Sequence, residues 1–191
     1  MELIDKFHII DIFFLIIFLR IVFIAFSRGL LNEFIKLIGL SFASFFSFQY
    51  YSLFLGEVFG KEPFSFNQEH LNLISFLIIF FVVVFIFFLL RRAVVPFLKQ
   101  KKYSLWEKGL ASLLGCCRAL FSVSIIIFIL WLSPFSFKGV FKSFSYKKFK
   151  SIAPLSYLGS FKFYKTINPQ SQLNKEVVTY YEAKEYLPRG D

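Results

Sequence analysis

The stretch LNLISFLIIFFVVVFIFFLL, residues Leu71 to Leu90, carries no charged side chain. A helix needs roughly 20 mostly apolar residues to cross a hydrocarbon core about 30 Å thick, and this run supplies them without interruption. A soluble domain of 191 residues would leave much of such a sequence near water. Hydrophobic residues make up 57% of the chain and Phe alone contributes 31, which a bilayer can accommodate and a small aqueous core cannot.

Three further apolar segments flank this one. The first runs from about Ile9 to Ser27 and is interrupted by Arg20; the second covers Leu31 to Leu55, with Glu33 and Lys36 in its first turns. The fourth covers about Gly109 to Leu132 and contains Arg118. Gly60, Pro63 and Asn67 mark Gly56 to His70 as a loop, and Pro96 breaks the basic connector Arg91 to Lys108. The expected fold is all-α and polytopic: a four-helix membrane domain over 5–133, followed by a basic, aromatic tail over 134–191.

The N-terminus opens with Glu2, Asp5 and Asp11 against Lys6, unlike the basic start of a cleaved signal peptide, so the first apolar run is expected to be retained. The formal charge of +10 would indicate nucleic acid in a soluble protein. Here the cations flank spans and concentrate in the tail, which points to topology and to anionic lipid. Arg91, Arg92, Lys99, Lys101, Lys102 and Lys108 crowd the connector, whereas the Gly56–His70 loop has Lys61 among Glu57, Glu62 and Glu69. The connector is therefore expected inside and both termini outside. Lys138, Lys142, Lys147, Lys148 and Lys150 pull the other way, since they would favour an internal tail. The tail's Phe137, Phe141 and Phe144 share a helical face, as in an amphipathic segment lying among lipid headgroups. Basic-aromatic interleaving also occurs in single-strand binders, but the tethered tail favours lipid, and no nucleic-acid partner is expected. Gln170 to Tyr186 is expected to add a short polar helix.

Two ridges of small residues recur every fourth position: Ala111, Gly115 and Ala119 in the fourth helix, and Gly39, Ala43 and Ser47 in the second. Small residues let membrane helices approach closely, here as packing within one subunit or as an assembly interface. Arg20 and Arg118 lie inside apolar runs, where a charge costs about 2.5–3.5 kcal/mol on insertion scales. They are expected to face the interior or a wet cavity, or to reach toward headgroups, with Glu33 and Glu107 as partners. A structural ion-pair cluster is preferred over an anion pathway. Ser41, Ser44, Ser47 and Gln49 are expected to hydrogen-bond between helices.

His8 and His70 are single and distant, and Cys116 and Cys117 are adjacent in an apolar run, so no metal site is expected. The chain has no Gly-rich phosphate loop, nucleophile elbow or HExxH. The expectation is a non-enzymatic protein without a cofactor.

The run Arg28-Gly29-Leu30-Leu31-Asn32-Glu33 resembles the Arg-Gly-x-x-x-Glu element of the colicin V production protein (CvpA) family. Glu107-Lys108, Ala111, Gly115 and Arg118-Ala119 resemble that family's acidic-basic pair, Gly-x-x-x-Gly step and closing Arg-Gly, and Asp11 has a counterpart. Ala111 and Ala119 stand where the family has Gly; Arg20 has no counterpart. The resemblance covers about residues 5 to 133. It implies a bacterial inner-membrane protein supporting colicin V production or export and envelope physiology, through contacts with other envelope proteins or with itself. The alternative reading is a small channel or transporter subunit with Arg20 and Arg118 lining a polar path.

Overall fold

The computed structural model describes residues 9–58, 68–94, 104–133 and 143–182. Every regular element in these segments is helical: α1 (Ile9–Arg28), α2 (Leu30–Val58), α3 (Gln68–Val94), α4 (Leu105–Leu132), α5 (Phe144–Phe149), α6 (Ile152–Ile167) and α7 (Lys175–Glu182). The first four are long and apolar enough to cross a membrane. α2 has 29 residues, about 43 Å at 1.5 Å per residue, so it outreaches a hydrocarbon layer of about 30 Å. α2 therefore runs past its apolar stretch, which ends at Phe54, into polar sequence. α4 starts at Leu105 rather than Gly109, because Ser104 donates its amide to the Glu107 carboxylate at 3.0 Å and closes the first turn.

α1 packs mainly on α4 and α2 mainly on α3, and α4 joins the two pairs through α2. α2 and α4 thus form the middle, with α1 and α3 outside. This order explains why α3 has the cleanest apolar run. Only 11% of its apolar stretch is buried, against 44% for α4, so Phe81, Phe85 and Ile86 of α3 are left exposed while α4 must also pack.

The bundle has two unlike ends. At the hairpin end, Gly29 alone links α1 to α2, with φ of 80°. That left-handed conformation is cheap only for glycine, which accounts for the Arg-Gly dipeptide there. At the tail end, α5, α6 and α7 fold back on the start of α1 and the ends of α2 and α4. Phe48, Tyr51, Phe76, Phe128, Tyr157 and Tyr180 make one aromatic core across α2, α3, α4, α6 and α7. The Phe48 and Phe128 rings meet edge-on at 4.7 Å, and Phe128 meets Tyr180 at 5.0 Å.

The tail's expected amphipathic face falls partly at Phe137 and Phe141, which lie outside the described residues. Phe144 opens α5 and is exposed, as are Lys147 and Lys148. The short polar helix expected over Gln170 to Tyr186 is α7 at Lys175–Glu182.

Candidate functional site

Glu33 is wholly buried in the first turn of α2. Gly29 sets it there, its carbonyl accepting the Glu33 amide at 3.3 Å. A carboxylate stripped of water needs cationic partners. Arg118 Nη2 of α4 lies 2.8 Å from Glu33 Oε2, and Lys36 Nζ, one turn along α2, donates to Oε1. Side chains lean toward the N-terminus of their helix, so Arg118, well inside α4, reaches back toward the hairpin end to meet a residue at the start of α2. The triad ties α2 to α4 where few other polar contacts do so.

Lys36 is the member that pairing arguments from the sequence left out. The signal was present: residues three apart share a helical face. Glu107, expected as a partner, instead caps α4 three turns from Arg118. Arg20, expected with an acidic partner, ends elsewhere: it is exposed on α1 beside Phe23, Phe26 and Ser112, and neither Glu33 nor Glu107 pairs with it. Arg28 is the last residue of α1; its side chain is outside the described ones.

Arg118 also borders a cavity of about 220 Å³ between α2, α3 and α4, together with Lys36, Gly39, Arg91 and Ser122. Arg20 lines a different groove, between α1 and α4. The structure therefore does not bring the two arginines to one cavity.

The small ridges lie at helix crossings. A Cβ on Gly115 would overlap the Cβ of Ala25 in α1, and Ala25, Ala111 and Ala119 are fully buried. A Cβ on Gly39 would fall 2.9 Å from the Phe87 side chain of α3. Ala43 and Ser47 are also fully buried. The ridges serve contacts inside this subunit.

At the opposite end the polar contacts are neutral or tail-borne. Tyr157 of α6 donates its hydroxyl to Gln49 Oε1 at 2.6 Å and accepts the Asn174 amide at 3.0 Å. Asn174 Nδ2 donates to the Phe48 carbonyl at 2.9 Å, and Gln49 Nε2 to the Gln172 carbonyl at 3.0 Å. Burial raises the pKa of the Tyr157 and Tyr180 phenols, keeping both protonated at neutral pH. Asp11 accepts the Ser145 amide at 2.8 Å and so caps α5. Ser124 of α4 takes the Ala153 amide at 2.9 Å. Ser41 and Ser44, expected to bond between helices, instead bond to carbonyls within α2.

His70 is exposed on the first turn of α3, and His8 is outside the described residues. No group of His, Cys, Asp and Glu that could hold a metal occurs among the described residues.

A set of apolar helices long enough to span a bilayer, joined by a buried carboxylate between two cations, defines a helical membrane protein of the polytopic class. The chain belongs to the colicin V production protein family, whose pattern it matches over residues 10–154. That match runs from α1 through α5 into the start of α6, beyond the last membrane-length helix. Membership associates this membrane protein with toxin production. Neither the curated proteins nor the solved structures yield a match.

Proposed function

We propose that this chain is a non-enzymatic, multi-pass component of the bacterial inner membrane that supports toxin production or export by binding other envelope proteins. The observation that carries this reading is the use made of its buried charges. Glu33, Lys36 and Arg118 hold helices to one another rather than converging on a reactive centre. A bundle whose outer helices α1 and α3 expose broad apolar faces, interrupted on α1 by Arg20, then offers a surface for neighbours in the bilayer, by close side-chain packing. The hairpin end and the basic connector face the cytoplasm, and the tail lies outside with its lysines against anionic headgroups.

Photo-crosslinking amino acids at Phe23 and Phe85, both exposed on the outer helices, test this in native membranes. The reading expects at least one discrete adduct with another envelope protein. Adducts with lipid alone at both positions overturn it. Reporter fusions at Lys101 and after Asp191 are expected to report opposite sides of the membrane.

A further inference from the structure

We infer that the cavity between α2, α3 and α4 at the hairpin end is a binding site for the phosphate headgroup of an anionic phospholipid. Lys36, Arg91 and Arg118 all border it. Glu33 is held between Lys36 and Arg118, and Arg91 adds a third cation to the cavity wall. Arg91 stands in the last turn of α3, where its guanidinium lies 5.6 Å from the centre of the Phe88 ring and pairs with no described carboxylate.

The lining is graded along the helices, and this grading selects a lipid over a small soluble anion. On α3, Arg91 is at the helix end and Val84 lies seven residues deeper, about 10 Å into the apolar layer. On α2, Lys36 is near the end and Leu40 is one turn deeper. Charge sits where a headgroup would be and apolar surface where acyl chains begin. A volume of about 220 Å³ equals about seven waters at liquid density, enough for a phosphate and its nearest ester groups. Gly39 lets the Phe87 side chain of α3 pack directly on α2 at the cavity wall, where a Cβ would press on it. Basic pockets between membrane helices are suited to such headgroups. The diester carries one negative charge and several acceptor oxygens, which a guanidinium can meet with paired donors.

The test uses the full chain purified in detergent micelles, with phosphatidylglycerol or phosphatidylcholine added at equal mole fraction, or inorganic phosphate added alone. Thermal unfolding and native mass spectrometry read the binding. Phosphatidylglycerol is expected to raise the unfolding temperature and to bind about tenfold more tightly than phosphatidylcholine, with inorganic phosphate ineffective. Arg91→Gln is expected to weaken phosphatidylglycerol binding about fivefold, the worth of one basic residue near a charged headgroup. Arg91→Lys should restore most of it. Arg92→Gln, which removes an exposed charge in the same turn outside the cavity, should leave it unchanged. Equal binding of the two lipids overturns the proposal, as does equal loss in Arg91→Gln and Arg92→Gln. Stabilisation by inorganic phosphate matching that by phosphatidylglycerol also overturns it, in favour of a free-anion site. The lipid and phosphate comparisons use the natural chain, so they decide the question even if Arg91→Gln fails to fold.

Discussion

The hairpin end of the bundle is held by charges in an apolar sleeve, and the tail end by amides, hydroxyls and stacked rings. At the first, a single carboxylate joins Lys36 and Arg118 across two helices. At the second, Gln49, Tyr157 and Asn174 share several neutral bonds over a large aromatic core. The difference bears on how each end can fail. An ion pair in low dielectric loses most when one partner goes, because the survivor stays buried and charged. A neutral network loses less at any one point, since each bond contributes about 1 kcal/mol net.

The comparison breaks most sharply at Arg118. Arg118→Leu leaves Glu33 with Lys36 alone, and a loss of about 3–5 kcal/mol is expected from removing one member of a buried pair. Unfolding in detergent measures this, and parallel complementation separates loss of abundance from loss of function. Gly115→Leu should come next: the α1–α4 crossing leaves no room for even a Cβ, and overpacking of this kind costs about 1–3 kcal/mol or more. Recovery of folded protein at natural levels from that variant would show that the crossing is looser than its geometry.

At the tail end, Tyr157→Phe removes one donated and one accepted hydrogen bond without changing the ring. It is expected to cost about 1–3 kcal/mol, mainly by leaving Gln49 Oε1 and the Asn174 amide buried without their partner. Limited proteolysis should then cut between α6 and α7 sooner than in the natural chain, while the hairpin end remains intact. The smallest effect, about 1 kcal/mol, is expected for Asp11→Ala, which removes the acceptor of the Ser145 amide while Ser143 still caps α5. Asp11→Asn retains an acceptor and should lose less.

The two ends also differ in how far they could be read in the sequence. Charges in apolar runs announce themselves, because each must find a partner or reach water. The spans themselves were legible for the same reason, as bilayer thickness fixes their length. Arg118 and Glu33 met as that rule requires. Arg20 took the other branch of the rule: it is exposed on α1, and the acidic partner expected for it is not there. Of the tail network only Gln49 was legible, as a residue expected to hydrogen-bond between helices; its partners were not. Gln49 and Tyr157 are neutral and 108 positions apart, and no periodicity links them. The tail's lysines and aromatics suggested an amphipathic segment among headgroups, and gave no sign that Ala153, Tyr157 and Phe161 would bury against α2 and α4.

A double-mutant cycle on Glu33→Gln and Arg118→Met tests the clamp most directly. Unfolding free energies of the natural chain, both single variants and the double variant separate the pair's coupling from the cost of each substitution. The account predicts that the double variant is more stable than the sum of the single losses allows, by about 1–3 kcal/mol, because neither charge is then left buried alone. Additivity within about 0.5 kcal/mol would show that Arg118 and Glu33 act independently and that the hairpin end is not held by their pair.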